Sequence, residues 1–195
     1  VRALLTKAVE RIDVLYQTKG ALTGVSTGFR DIDEITSGLQ ASDLITVAGR
    51  PSMGKTAFMM NMAESAVISG GSPVLVFSME MPSASLVLRM LSSLGRIDQS
   101  KIRTGQLSDD DWPRLTSAVT LLNDKPLFID DTPALTPGDI RSRARRVARE
   151  HGDLGMIVID YLQLMQTATA VENRAGEISE ISRSIKAIAK EFDCP

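Results

Sequence analysis

A glycine-rich stretch, GRPSMGKT, occupies residues 49–56, directly after the apolar run LITVA. It fits the pattern G-x-x-x-x-G-K-[ST], in which the glycines let backbone N–H groups approach phosphate oxygens. In such a loop the lysine, Lys55, reaches the β- and γ-phosphates of a nucleotide, and the hydroxyl of Thr56 ligates Mg²⁺. The sequence therefore predicts a phosphate site formed by Gly49, Arg50, Pro51, Ser52, Met53, Gly54, Lys55 and Thr56.

Two acids end apolar runs that resemble buried strands. Asp160 closes MIVID, and Glu80 closes VLVFSME. Asp160 either caps a following helix or holds Mg²⁺ beside the phosphate loop, and the loop favours the metal role. Tyr161, and no glutamate, follows Asp160, so the water-activating base must lie elsewhere. Glu80 is the candidate; its alternative role is to cap the helix that begins near Pro82.

The apolar pattern alternates between strands and helices from residue 43 onward. Strands are predicted at 44–48, 74–77, 127–130 and 156–160, and helices at 55–69, after Pro82, after Ser108 (with Pro113 inside it), after Thr136 and at 177–192. The strands are apolar throughout, which is typical of a parallel sheet covered on both faces. The predicted fold class is α/β: a P-loop NTPase core with a mostly parallel sheet and helices on both faces.

The first residues form a separate amphipathic element. Leu4, Leu5, Ala8, Ile12, Leu15 and Tyr16 share one helical face within residues 1–17, and a Gly/Ser/Thr-rich linker follows. This helix packs either on its own domain or on a neighbouring copy. We therefore divide the chain into a linker helix and linker at 1–23 and a core at 24–195.

Composition excludes several classes of protein. The 195 residues carry a formal net charge of −2, which gives no global basic field for nucleic acid. No apolar run reaches the roughly 18 residues that a membrane span requires. The only cysteine is Cys194, so an intramolecular disulfide is impossible and a cytoplasmic location is expected. The guanine motif N-K-x-D is absent, which argues against a GTPase.

Taken together, these motifs resemble the motor domain of the DnaB-type replicative DNA helicases of bacteria. The resemblance is carried by GLQASDLITVAGRPSMGKTAF, VLVFSMEMPS, DQSKIRTGQLSDDDW, LTPGDIRSRARRVAREHG and IVIDYLQLM. It implies a RecA-like fold and ATP-driven 5′ to 3′ movement on single-stranded DNA. It also implies that Lys55 and Thr56 bind phosphate and metal, that Glu80 is the catalytic glutamate and that Asp160 is the metal-site aspartate.

The resemblance further implies a homo-hexamer, a primase and a helicase loader as partners, with the first helix docked on the next subunit. The family continues with a sensor strand, a DNA-contacting loop and an arginine finger, which we expect beyond Pro195. These 195 residues are thus expected to be the nucleotide-binding core, weakly active or inactive alone. The arginine run at 141–149 is either a solvated helix surface or a contact with DNA or a partner. The stretch 166–176, whose one basic residue is Arg174, offers at most a weak DNA contact.

Two other functions use the same core. A recombinase-like or loader ATPase would bind DNA without unwinding it, and an assembly module would hold nucleotide without turnover. An unwinding assay distinguishes a helicase from a recombinase-like or loader ATPase. Measured ATP turnover distinguishes both of these from an assembly module.

Overall fold

A computed structural model describes residues 22–166 and 174–195, together with positions 5, 6, 9, 12 and 13. Those five positions are helical, and Leu5, Val9 and Ile12 expose 60–65% of their surface. The rest of the helix predicted at 1–17, and most of the stretch 166–176, lie outside the described residues.

The sheet of the described part contains three parallel strands in the order β2–β1–β3. They are β1 (Val74–Ser78), β2 (Leu127–Asp130) and β3 (Met156–Asp160). Phe77 pairs with Asp130 on one side and with Ile159 on the other, so the carboxyl ends of all three strands lie at one edge. Strand β1 is central and fully buried, as expected for its unbroken apolar sequence.

Seven helices surround this sheet among the described residues. They are α1 (Arg30–Thr36), α2 (Lys55–Ser65), α3 (Ser83–Gly95), α4 (Gln99–Thr104), α5 (Asp111–Asn123), α6 (Pro137–His151) and α7 (Arg174–Phe192). A π-helical turn, Ala66–Gly70, extends α2, and a 3₁₀ turn, Leu162–Leu164, follows β3. The helices predicted from residue 55 onward are thus confirmed, with α2 ending in a wider turn.

Two hydrophobic clusters sandwich the sheet. On one face Leu75 and Phe77 contact α6 and α7 through a cluster that includes Ile140, Ala144, Ile181, Ile185 and Ile188. On the other face Val74 and Val76 contact α2 and α3 through a cluster that includes Met60, Ala63, Val67, Leu86 and Met90. The predicted α/β class, a parallel sheet with helices on both faces, is therefore confirmed.

The prediction of a strand at 44–48 is wrong, because these residues form no strand in the structure. LITVA has the apolar composition of a buried strand, yet it pairs with none of the three strands, and Leu44 and Ile45 are 37% and 43% exposed. A cavity of about 350 Å³ lies between this segment and β3. A strand forms only where a partner lies within hydrogen-bonding distance, and here the cavity separates the two. On the same side of β3, the N–H of Ile157 donates to the carbonyl of Pro195 (2.9 Å).

Local signals at two helix starts have clear outcomes. Helix α6 begins directly after Thr136, as predicted; Thr136 caps it in a capping box with Asp139, and Pro137 is its first residue. Helix α5 begins at Asp111, so Pro113 lies in its first turn, where a missing N–H leaves no helical hydrogen bond unmade.

The arginine run of α6 is largely committed to contacts within the chain. Arg141 and Arg145 pair with Glu191 of α7 at 3.0 and 2.7 Å, and Arg143 pairs with Asp130 at the end of β2. These contacts give three of its arginines a role in joining α6 to α7 and to the sheet.

Within residues 22–166 and 174–195, no helix is both long and apolar enough to cross a membrane.

Candidate functional site

The phosphate loop, residues 49–54, is an exposed turn that leads into α2. Gly54 caps α2 with φ +86°, and Ser52 has φ +63°. A Cβ at Gly54 would meet no atom within 4 Å, so this position requires glycine for its left-handed backbone and not for space. The loop thus presents the free N–H groups of the helix start, which is the arrangement that binds phosphate.

Lys55 is the first residue of α2, and its side chain points toward the end of β3. Its Nζ lies 5.5 Å from the centroid of the Tyr161 ring, directly after β3. Its stem also closes over the loop, because a Cβ on Gly49 would come within 3.3 Å of its Cγ. The ammonium therefore sits between the loop and the end of β3, where an incoming phosphate chain would meet it.

Thr56 and Asp160 meet across 104 residues of sequence. The Thr56 hydroxyl donates to Oδ2 of Asp160 at 2.8 Å, and Asp160 is only 3% exposed. A hydroxyl and a carboxylate suit a hard cation such as Mg²⁺, which also takes phosphate oxygens and waters. No group of three His, Cys, Asp or Glu side chains could hold a metal within the described ranges. A cation bound by Thr56 and Asp160 would therefore take its other ligands from waters or phosphate oxygens.

The segment that carries Glu80, residues 79–82 between β1 and α3, is here called the Glu80 turn. The N–H of Met79 donates to the carbonyl of Asp160 at 2.7 Å. The buried hydroxyl of Ser78 donates to the carbonyl of Met81 (2.8 Å) and accepts from its N–H (3.2 Å). Glu80 itself is exposed, so its carboxylate faces solvent, while Asp160 and Ser78 hold the backbone of the turn.

Two further acids lie at the same edge: Asp130, the last residue of β2, and Asp131, which follows it. Asp131 accepts the N–H of Ser83, the first residue of α3, at 2.8 Å. This backbone bond, followed by one from the Ser83 hydroxyl, holds the pKa of Asp131 below its ordinary value. Burial raises the pKa of Asp130, but bonds from Thr132 and Arg143 outweigh it, so this pKa is also lowered. Both groups are therefore carboxylates with fixed partners at neutral pH.

The predicted site residues lie near one another in the fold, together with neighbours that the sequence did not indicate. The structure gathers the loop, Lys55, Thr56 and Asp160 around one edge of the sheet and places Glu80 at the end of the adjacent strand. It adds Ser78, Asp131 and Tyr161. The rule that selected Asp160, an acid that closes an apolar strand, would have selected Asp130 of LFID, the residue before Asp131. The Ser78 bonds have no sequence signal.

A parallel sheet, a glycine-rich loop entering a helix, and carboxylates at the ends of two neighbouring strands define a class, the RecA-like P-loop nucleotide-binding domains. Comparison with known proteins narrows the class. Residues 24–195 match the model of the DnaB-like helicase C-terminal domain, and the chain belongs to this family.

Relatives of known name support the assignment. The chain is 54% identical over 197 residues to the replicative DNA helicase DnaB of Pasteurella multocida and 46% identical over 196 residues to that of Geobacillus stearothermophilus. These alignments cover 99% and 100% of this chain but 42% and 43% of the relatives. The chain therefore spans less than half the length of the proteins it matches.

Solved structures agree with the fold. One, described as a DnaB-like replicative helicase and its interactions with primase, superposes with a TM-score of 0.88 at 30% identity, over 100% of this chain and 46% of that one. Another, described as an ATPase domain, gives a TM-score of 0.91 at 31% identity, over 99% of this chain and 68% of that one.

Proposed function

We propose that these residues are the nucleotide-binding core of an ATP-dependent replicative DNA helicase motor. The observation that carries the proposal is the meeting of three elements at Asp160. Its carboxylate accepts the Thr56 hydroxyl at the start of α2, and its carbonyl accepts the N–H of Met79 in the Glu80 turn. Phosphate loop, metal-site acid and candidate base are thus mechanically joined.

In this proposal the loop binds ATP. The N–H groups of residues 49–56 cradle the phosphate oxygens, and Lys55 leaves the Tyr161 ring to neutralise the β- and γ-phosphates. Thr56 and Asp160 hold Mg²⁺, Thr56 directly and Asp160 directly or through water. The ion, when bound, supplies positive charge against the charge that develops during phosphoryl transfer.

Glu80 is the proposed base. Its exposed carboxylate follows β1 by two residues, on the edge that the loop occupies; in this proposal it orients a water toward the γ-phosphorus and accepts its proton. Because the turn is tied to Asp160, the backbone that carries the base is held beside the metal site before the nucleotide arrives.

We further propose that the motor moves 5′ to 3′ on single-stranded DNA as a homo-hexamer in the cytoplasm, with a primase and a loader as partners. These expectations are supported by membership of the DnaB-like family. One matched structure is described by its interactions with primase.

The experiment replaces Glu80 with glutamine in the natural full-length polypeptide that carries these residues. Glu80→Gln keeps the size of the side chain and removes the base, so ATP should bind with unchanged affinity while turnover falls by about 100-fold or more. Wild-type protein should unwind a forked duplex, and the variant should not. The matched control is Glu34→Gln, an exposed glutamate of α1 paired with Arg30, which should retain both activities.

Each alternative has its own outcome in the same experiment. DNA-stimulated ATP turnover without unwinding by the wild type would indicate a recombinase-like or loader ATPase. Nucleotide binding without turnover would indicate an assembly module. Wild-type turnover in Glu80→Gln would show that another group orients the water.

A further inference from the structure

The end of β2 lies beside the Glu80 turn. Because Phe77 pairs with Asp130 in the parallel ladder, the following residue, Asp131, is level with Ser78, where β1 gives way to the turn. Its carboxylate crosses from one strand to the next and accepts the N–H of Ser83 at 2.8 Å. Ser83 begins α3 only three residues after Glu80.

Asp131 is itself on a fixed segment. The preceding Asp130 pairs with Arg143 of α6 and accepts the N–H of Thr132 at 3.1 Å. Arg143 also donates to the Thr132 hydroxyl at 2.7 Å. Asp130 therefore anchors the end of β2 to α6, and Asp131 anchors the start of α3 to the end of β2.

The Glu80 turn is consequently held at both ends. Its first residue bonds to Asp160, its third to Ser78, and the residue after its last to Asp131. Pro82, with φ −60°, stiffens the link between the last two. Within the described part of the chain Glu80 makes no hydrogen bond of its own, so the position of its carboxylate depends on the backbone that carries it.

We infer that Asp131 is a positioning residue for Glu80: by holding the first N–H of α3 it sets where the Glu80 carboxylate stands relative to the phosphate loop and Asp160. The inference rests on the proposed function, since it gives Asp131 a role only if Glu80 acts on water. Asp131 touches neither nucleotide nor metal in this role.

The effect should therefore separate turnover from binding. In the full-length polypeptide, Asp131→Ala should lower kcat by about 10-fold, because small displacements of a catalytic group have effects of this size or larger. Nucleotide affinity should change by less than about 2-fold, since the loop is untouched. Asp131→Asn keeps an acceptor for the Ser83 N–H and should recover most of the lost kcat.

The decisive measurement is the turnover rate of Asp131→Ala in a Glu80→Gln background. If Asp131 acts through Glu80, the double variant should turn over no more slowly than Glu80→Gln alone. The matched control is Asp98→Ala, which removes a carboxylate that caps α4 by accepting the N–H of Ser100 (2.7 Å). It should leave kcat unchanged. Thermal unfolding of each variant verifies the fold. If Asp131→Ala is unfolded at the assay temperature, Ser83→Pro carries the comparison, because it removes the same N–H at the first position of α3, where proline is tolerated.

Three results would overturn the inference. They are an unchanged kcat in Asp131→Ala, a parallel loss of nucleotide affinity, or an equal further loss of rate in the Glu80→Gln background. Failure of the proposed function has a different signature: Glu80→Gln alone would then turn over ATP like the wild type, and the role assigned to Asp131 would fall with it.

Discussion

The phosphate loop and the Glu80 turn lie at the same edge of the sheet but are built in opposite ways. The loop is exposed, with Met53 75% accessible, and its one internal backbone bond is a long one from Met53 to Arg50 (3.3 Å). The Glu80 turn is fixed by four hydrogen bonds from Ser78, Asp160 and Asp131. In the proposed function the loop keeps its N–H groups free for a ligand, whereas the turn presents one carboxylate at a set position.

This contrast separates what each region contributes. Substitutions in the loop should change ligand affinity with little effect on the stability of the free protein. Substitutions under the turn should change stability or rate with little effect on affinity.

The largest effect is expected at Lys55. Lys55→Ala removes the cation opposite the β- and γ-phosphates, so affinity for ATP should fall by about 100-fold or more. Calorimetric titration measures the change. Arg30→Ala, which removes an exposed cation of α1, is the control and should bind as the wild type does. Equal affinity in Lys55→Ala and the wild type would contradict the role given to the loop.

A smaller effect is expected at Ser78, which is only 1% exposed. Ser78→Ala removes both bonds to Met81, so the free energy of unfolding should fall by about 1–2 kcal/mol. Ser52→Ala, in the exposed loop, should change it by less than about 0.5 kcal/mol. Urea unfolding of the two variants compares the regions directly. If the two values are the same, the turn is no more fixed than the loop.

The smallest effect is a dependence of stability on pH. Because the pKa of Asp131 is lowered by the Ser83 N–H, the carboxylate form stabilises the fold. This contribution is complete above the unfolded pKa of about 4 and is lost as the pH falls through the lower folded value. Asp131→Asn should therefore be less stable than the wild type at pH 7, and the difference should shrink toward pH 3. A difference that persists unchanged in acid would mean that the bond to Ser83 does not favour the charged form.

How far the sequence predicts these regions depends on how local their interactions are. The capping box at Thr136 involves four consecutive residues and was predictable. The loop was predictable because its glycines and lysine act through their immediate neighbours. LITVA was not, because pairing depends on what lies across the sheet, and composition carries no information about a cavity there. Asp131 was missed for a similar reason, since its partner Ser83 is 48 residues away. The roles of Lys55, Thr56, Glu80 and Asp160 stay predictions.

The cavity beside β3 gives that strand two unlike sides. The amide groups of a strand point alternately to its two sides. The carbonyl of Asp160 accepts the N–H of Met79, directly after β1, so the amides of Met156, Val158 and Asp160 face β1. The others face the cavity, where Ile157 meets the carbonyl of Pro195. In a polypeptide of these 195 residues, neighbouring amides of β3 would then exchange their hydrogens with solvent at very different rates. Val158 would exchange only when the sheet opens, and Ile159 would exchange whenever water enters the cavity.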